Sequence, residues 1–124
     1  MSRKDNLRVF QNITNGNMAS ASITSPATCI EWLDNIAIQL NFTGSPVGTF
    51  QIQVSVDYAQ DIGGKVTNAG NWVAITLPSS PVAAGAPGQI LIDLNQLASP
   101  WIRVVYTRTS GSGSLNSFIS GKMI

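Results

Sequence analysis

The chain is 124 residues long, the size of one domain and large enough to bury roughly two thirds of the surface it would expose unfolded. Charged residues make up 10% of it against about 25% in an average soluble domain, so its polar surface must be built from Gly, Ser, Thr, Asn and Gln. The net charge of +1 rests on seven scattered basic residues (Arg3, Lys4, Arg8, Lys65, Arg103, Arg108 and Lys122) with no stripe to follow a phosphate backbone, so no nucleic-acid partner is expected.

Residues 1–6 read as a flexible arm ahead of a single domain over 7–124. From there apolar and polar residues alternate with period two, interrupted roughly every 8 to 15 residues by Gly, Pro, Ser or Asn, the grammar of strands and turns. Leu7, Val9 and Ile13 predict a first strand and residues 18–24 a second. Residues 27–35, with Ile30, Trp32 and Leu33, read as an irregular link or one helical turn.

Asn35–Phe42 is the clearest strand, with Ile36, Ile38, Leu40 and Phe42 on one face and Ala37, Gln39 and Asn41 on the other. After a turn over 43–48, Phe50, Ile52, Val54, Val56 and Tyr58 alternate with Gln51, Gln53, Ser55 and Asp57, predicting an antiparallel hairpin with the strand before. Residues 59–70 are too rich in turn formers for a regular element and read as an exposed loop. Residues 71–77 return to strand with Val73, Ile75 and Leu77 inward and Trp72 outward. Pro78, Pro81 and Pro87 make 78–88 a long surface connection, neither helix nor central strand.

Residues 89–94 are strand-like, and after an interruption over 95–100 the strand 101–108 carries apolar side chains on both faces: Ile102, Val104 and Tyr106 on one, Trp101 and Val105 beside Arg103 on the other. A flexible turn over 109–114 leads to a last strand over 115–124. The sum is an all-β chain: an antiparallel β-sandwich of about eight strands, jelly-roll-like.

Chemistry is conspicuous by what is missing. No histidine is present, which removes the commonest general base and metal ligand along with the usual Ser-His and Cys-His nucleophile pairs, so no enzyme and no catalytic residue is expected. Glu31 with Asp34, and Asp57 with Asp61, lie close enough to help hold a calcium ion, but neither has EF-hand spacing and both read as solvated turn acids. Gly63-Gly64-Lys65 and Gly111-Ser112-Gly113 lack the spacing and the following helix of phosphate loops. No cofactor and no metal is expected.

Cys29 stands alone and reads as a structural thiol. Residues 1–20 show no apolar stretch followed by a small-residue cleavage site, and no run approaches about 18 apolar residues, so neither export nor a membrane is expected. The sequons at Asn12 and Asn41 are then chance matches. Of Trp32, Trp72 and Trp101, at least two are expected to be largely buried, since large aromatics in a small sandwich more often fill the core.

The run from Phe42 to Tyr58 around Gly44-Ser45-Pro46-Val47-Gly48, the run Pro100-Trp101-Ile102-Arg103-Val104-Val105-Tyr106-Thr107, the turn Ser110-Gly111-Ser112-Gly113-Ser114-Leu115-Asn116 and the ending Ile119-Ser120-Gly121-Lys122-Met123-Ile124 resemble small virion structural proteins of tailed bacteriophages. The likeness runs from about Ile36 to the end of the chain and is one of strand and turn style. It implies a β-sandwich made in the host cytoplasm and assembled into the virion in many copies, as a homo-oligomer or against a major capsid or tail protein. It supplies no catalytic residues. A capsid decoration or cement subunit is the leading reading; the alternative is a carbohydrate- or receptor-binding module of a tail or fibre, motivated by the tryptophans. The residues expected to meet a partner are Leu7, Val9 and Phe10 beside the arm, Trp72 and Trp101, and Val82 in the proline-rich connection.

Overall fold

In the computed structural model the described residues are 7–31, 33–77, 81–95 and 99–122, so the arm over 1–6 and Trp32 lie outside them. The period-two segments become strands β1 (Leu7–Asn17), β2 (Ser22–Thr24), β3 (Thr28–Cys29), β4 (Asn35–Phe42), β5 (Val47–Ser55), β6 (Ala59–Gln60), β7 (Val66–Asn68), β8 (Val73–Ala74), β9 (Val82–Ala84), β10 (Gly88–Asn95), β11 (Trp101–Ser110) and β12 (Ser114–Lys122). One sheet has the order β1-β12-β4-β10; the other runs β2-β11-β5-β8, with β3 also on β11 and β9 also on β5; β6 and β7 form a separate ribbon. Since β2 and β3 share one strand position and β8 and β9 another, the sandwich has eight positions, and chain order reads 1-8-3-6 in one sheet and 2-7-4-5 in the other. That alternation between two antiparallel sheets is the jelly roll.

The inward faces meet in one core. Ile36, Ile38, Leu40 and Phe42 of β4 with Leu115 and Ile119 of β12 lie against Phe50 and Ile52 of β5 and Ile102, Val104 and Tyr106 of β11. Each such side chain contributes about 1.5–3 kcal/mol by leaving water. Phe42 meets Phe50 across the gap between the sheets, with ring centroids 5.6 Å apart, and Phe50 packs on its cross-strand partner Tyr106 at 4.9 Å.

The hairpin expected between β4 and β5 does not form. β4 pairs with β10 and β12, and β5 with β11, β8 and β9, so the connection 43–46 carries the chain from one sheet to the other. Its main-chain donors turn to another such crossing, 111–113, and the first residue of β12 after it: Thr43 N–H donates to Ser114 O (3.0 Å) and Ser45 N–H to Ser112 O (2.9 Å). Met18 N–H, from the connection between β1 and β2, donates to Gly113 O at 2.9 Å. The crossings lie so close that a β-carbon on Gly113 would collide with the Thr43 carbonyl oxygen, and one on Gly111, already at φ +76°, with that of Ser45.

Other departures have equally local causes. A bulge in β1 between Gln11 and Ile13 resets its phase, so Phe10 and Ile13 face the core while Val9 is 66% exposed. Met18 is fully buried but sits in a turn, and the second strand is only Ser22–Thr24. β2 and β3 are one edge strand broken at Ser25-Pro26, where Ser25 keeps the ladder satisfied: its N–H donates to Val104 O and its Oγ accepts from Val104 N–H.

The loop 59–70 contains the short ribbon β6–β7, and residues 71–77 hold only a two-residue strand with Val73 exposed. Val54 and Ile75 still pack on the core, but β5 ends at Ser55 and Val56 points to solvent. Within 78–88 the edge strand β9 buries Ala83, a role the prolines permit at a sheet edge.

Gly111→Ala should lower the unfolding free energy by about 3 kcal/mol in urea titrations, combining left-handed strain with overpacking. Gly63→Ala, whose new carbon would meet nothing nearer than an Asp61 oxygen at 3.4 Å, should shift it by less than about 0.5 kcal/mol. Tyr106 is fully buried and its hydroxyl has no hydrogen-bond partner among the described residues; burial also raises its pKa. The ring's burial and stacking, about 2–4 kcal/mol, outweigh the stranded hydroxyl's roughly 1–3 kcal/mol. Tyr106→Phe should therefore stabilise by about 1 kcal/mol, and a loss of stability would sink that account.

Candidate functional site

On the outer face of the β5–β11 sheet, Arg103 stands directly opposite Gln53, and Trp101 opposite Ser55. Ser55 shares the outward phase of Gln51 and Gln53 yet is buried, because the chain beyond it folds back over this face. Ser55 Oγ donates to Asp57 Oδ1 (2.8 Å) and accepts from Tyr58 N–H (3.1 Å). Asp57 in turn accepts from Asn71 N–H and Asn71 Nδ2, both at 2.8 Å. These bonds, first of all that from the Asn71 main chain, hold its carboxyl below the ordinary value of 3.8. One carboxylate thus closes the base of the excursion that carries β6 and β7.

The latch sets three rings side by side. Tyr58 lies between Trp72 (5.4 Å between centroids) and Trp101 (4.8 Å, edge-on). The Arg103 guanidinium covers the Trp72 ring at 4.2 Å, and its Nε donates to Gln53 Oε1 at 2.8 Å. Partial burial lowers the Arg103 pKa. Gln60 Nε2 donates to the Tyr58 hydroxyl (2.8 Å), and Trp72 Nε1 to Ala69 O (3.2 Å). Two residues singled out from the sequence, Trp72 and Trp101, are therefore brought together through Tyr58. Both are half-buried on this outer face and not in the core between the sheets: Trp101 takes the outward phase of β11, and the loop lays Trp72 over Arg103, while Trp32 lies outside the described residues.

The other predicted contact residues fall elsewhere. Leu7 opens β1 opposite Lys122, Phe10 turns its ring to the core, Val9 faces outward from the other sheet, and Val82 is half exposed on β9. Around Val9 a shallow groove is lined by Ala37, Gln39, Leu91, Phe118 and Ser120. Among the outward residues described on this sheet the charges are Asp93 and Lys122, and amides answer each other: Gln39 Nε2 donates to Asn41 Oδ1 (3.0 Å) and Gln11 Nε2 to Asn116 Oδ1 (3.1 Å).

Two further exposed apolar residues stand out, one of them in the loop 59–70 read as exposed from the sequence. Leu91 is 64% exposed on β10, and Ile62 is fully exposed at the tip of the β6–β7 ribbon. Asp61 orders that tip, its Oδ1 accepting from Gly63 N–H and Lys65 N–H at 2.9 Å each. An isoleucine directly before Gly-Gly in a turn was the available signal for Ile62. Asp57 and Asp61 thus serve main-chain donors, and among the described residues no group of three His, Cys, Asp or Glu gathers to hold a metal.

The arrangement defines a jelly-roll module with an aromatic cluster on one outer face and an amide-rich, nearly uncharged face on the other. No protein-family model matches the sequence, and no curated protein matches it. Among solved structures, the chain is similar to the infectious bursal disease virus VP2 subviral particle (TM-score 0.53, 11% identity, 94% of this chain and 32% of that one). It is likewise similar to the IBDV viral particle (TM-score 0.51, 13% identity, 96% and 32%). The SPBc2 prophage-derived protein YomS matches more loosely, at a TM-score of 0.42 and 11% identity over 93% of each chain. At such identities the likeness is one of fold, and this chain spans about a third of the capsid chains it matches.

Asp57→Ala should lower the melting temperature at neutral pH. Because the folded pKa is depressed, the Asp57 contribution is complete above the unfolded value near 3.8 and is lost as pH falls through the lower folded one. The gap between wild type and variant should therefore be flat above about pH 5 and close below pH 3.8; a gap that persists at pH 2 would show that the charge is not what holds the latch.

Proposed function

We propose that the chain is a non-enzymatic structural subunit of a bacteriophage particle, decorating or cementing its shell through contacts with the major capsid or a tail protein and acting in several copies. The observation that carries this reading is the jelly-roll topology, matched over nearly the whole chain by viral capsid chains. The surface supports it: an amide and apolar face loses little on desolvation, and an ordered turn presents Ile62 to whatever it meets. The absence of histidine from the sequence supports the non-enzymatic part.

Immunogold labelling of purified virions tests the reading, with regular labelling of shell or tail expected and absence from the particle overturning it. On particles that bind the chain, Ile62→Glu should weaken association at least about tenfold, the scale of a lost contact anchor, while leaving the melting temperature unchanged.

The aromatic cluster favours a second reading, a carbohydrate- or receptor-binding module. Trp101 and Tyr58 beside Gln51, Gln53 and Asn71 combine ring faces for stacking with fixed amides for hydroxyls. Glycan-array binding lost on Trp101→Ala would favour it over the first; no binding to any neutral glycan would remove it.

A further inference from the structure

The two edges of the four-stranded sheet are built differently. β1 is blunted: its ladder is broken twice, between Gln11 and Ile13 and between Ile13 and Gly16, and Asn15 sits at φ +49°. β10, at the other edge, pairs with β4 one residue to one from Gly88 opposite Phe42 to Asn95 opposite Asn35, without a bulge. It contains no proline and no lysine, and its one charge is Asp93. Among the described residues no strand pairs with its far side. A straight, apolar edge with unpaired main-chain donors and acceptors is a template for another strand, and proteins that do not use such an edge usually protect it.

We propose that this edge pairs with the same edge of a second copy, β10 against β10 antiparallel about a two-fold axis through Leu91. The order of side chains along the strand selects that occupant and that register. With Leu91 opposite the partner's Leu91, Gln89 faces the partner's Asp93 and Asp93 the partner's Gln89, so each carboxylate meets an amide donor and the two carboxylates are kept apart. On the inner face Ile90 meets the partner's Ile92. Shifting the axis to Ile92 sets Leu91 against the partner's Asp93, and shifting it to Ile90 sets Leu91 against the partner's Gln89; both break the apolar pair.

The pairing covers Leu91, the most exposed apolar side chain of β10, and closes the mouth between the sheets that Leu77, Pro81, Val82, Ile90, Ile92 and Asp93 line. The product is one continuous eight-stranded sheet whose amide-rich outer faces lie side by side. An interface related by a two-fold axis must be self-complementary, and this strand meets that condition in the one register named.

The inference deepens the reading of the chain as a particle subunit and rests on it for the need of several copies. Virion labelling tests that reading without reference to the dimer, so the two fail separately. The experiment is light scattering after size exclusion on the full chain, over a concentration series, in a Cys29→Ser background. A monomer–dimer equilibrium is expected. Leu91→Lys, which sets two like charges face to face, should raise the dissociation constant at least tenfold, and Gln89→Lys, which faces the partner's Asp93, should lower it. Circular dichroism checks that both variants keep the fold. Under mild oxidation Leu91→Cys should cross-link into a dimer, while Gln89→Cys and Asp93→Cys should not. A strict monomer at millimolar concentration, a dimer indifferent to Leu91→Lys, or cross-linking at 89 or 93 instead of 91 would each overturn the proposal.

Discussion

Everything in this molecule depends on two chain crossings that lie against each other at one end of the sandwich. A jelly roll differs from a stack of hairpins only in which connections change sheet, and here both 43–46 and 111–113 do so side by side. The donors of Thr43 and Ser45 are satisfied by the carbonyls of Ser114 and Ser112, not across a hairpin, and Gly111 and Gly113 allow two backbones to approach at a distance no β-carbon would tolerate. Directly inside lie Phe42, Phe50 and Tyr106, rings from three of the four strands that meet at the corner, β4, β5 and β11. The corner therefore decides the sheet to which β5 and β12 belong, and the ring stack secures the decision with apolar burial.

The outer aromatic cluster follows from the opposite end of β5. Because the strand stops at Ser55, the chain must turn, and the Ser55–Asp57–Asn71 latch makes it turn back over its own sheet. Arg103 loses solvent in the process. Its contact with Trp72, about 0.5–1 kcal/mol, and its charged hydrogen bond to Gln53, about 1.5–3 kcal/mol, together offset that loss, so the guanidinium stays where it is. Removing the latch would leave Trp72 without a fixed place and Arg103 without a cover, which ties the geometry of the cluster to one carboxylate far from the core.

Much of the fold was legible because period two is unambiguous where one face is buried. β4, β11 and β12 carry their inward residues where alternation places them: Ile36, Ile38 and Leu40; Ile102, Val104 and Tyr106; Leu115 and Ile119. Partnership was not legible. Alternation says which way a side chain points but not which sheet a strand joins, and the turn over 43–48 looks the same whether it closes a hairpin or crosses a gap. Bulges also escape a pattern reading, since the one in β1 exchanges Val9 for Phe10 as the inward residue. Trp72 and Trp101 were found as contact candidates for their residue type, whereas their meeting through Tyr58 depends on a loop closure spanning Asp57 to Asn71 that no local pattern announces.

The scarcity of charge links these features. With few Lys and Glu side chains to keep its faces wet, the protein relies on amides, and the amides on both outer faces bond to one another: Gln39 to Asn41, Gln11 to Asn116, Gln53 to Gln51. An amide already satisfied within its own face loses less when water leaves, and its side chain is already ordered, so the entropy cost of docking falls as well. The same scarcity removes the usual protection of edge strands. β1 compensates with irregular backbone, while β10 has a regular ladder and a single carboxylate. A surface that is sparsely charged, pre-ordered and, among the described residues, open along one edge loses little when it meets another such surface.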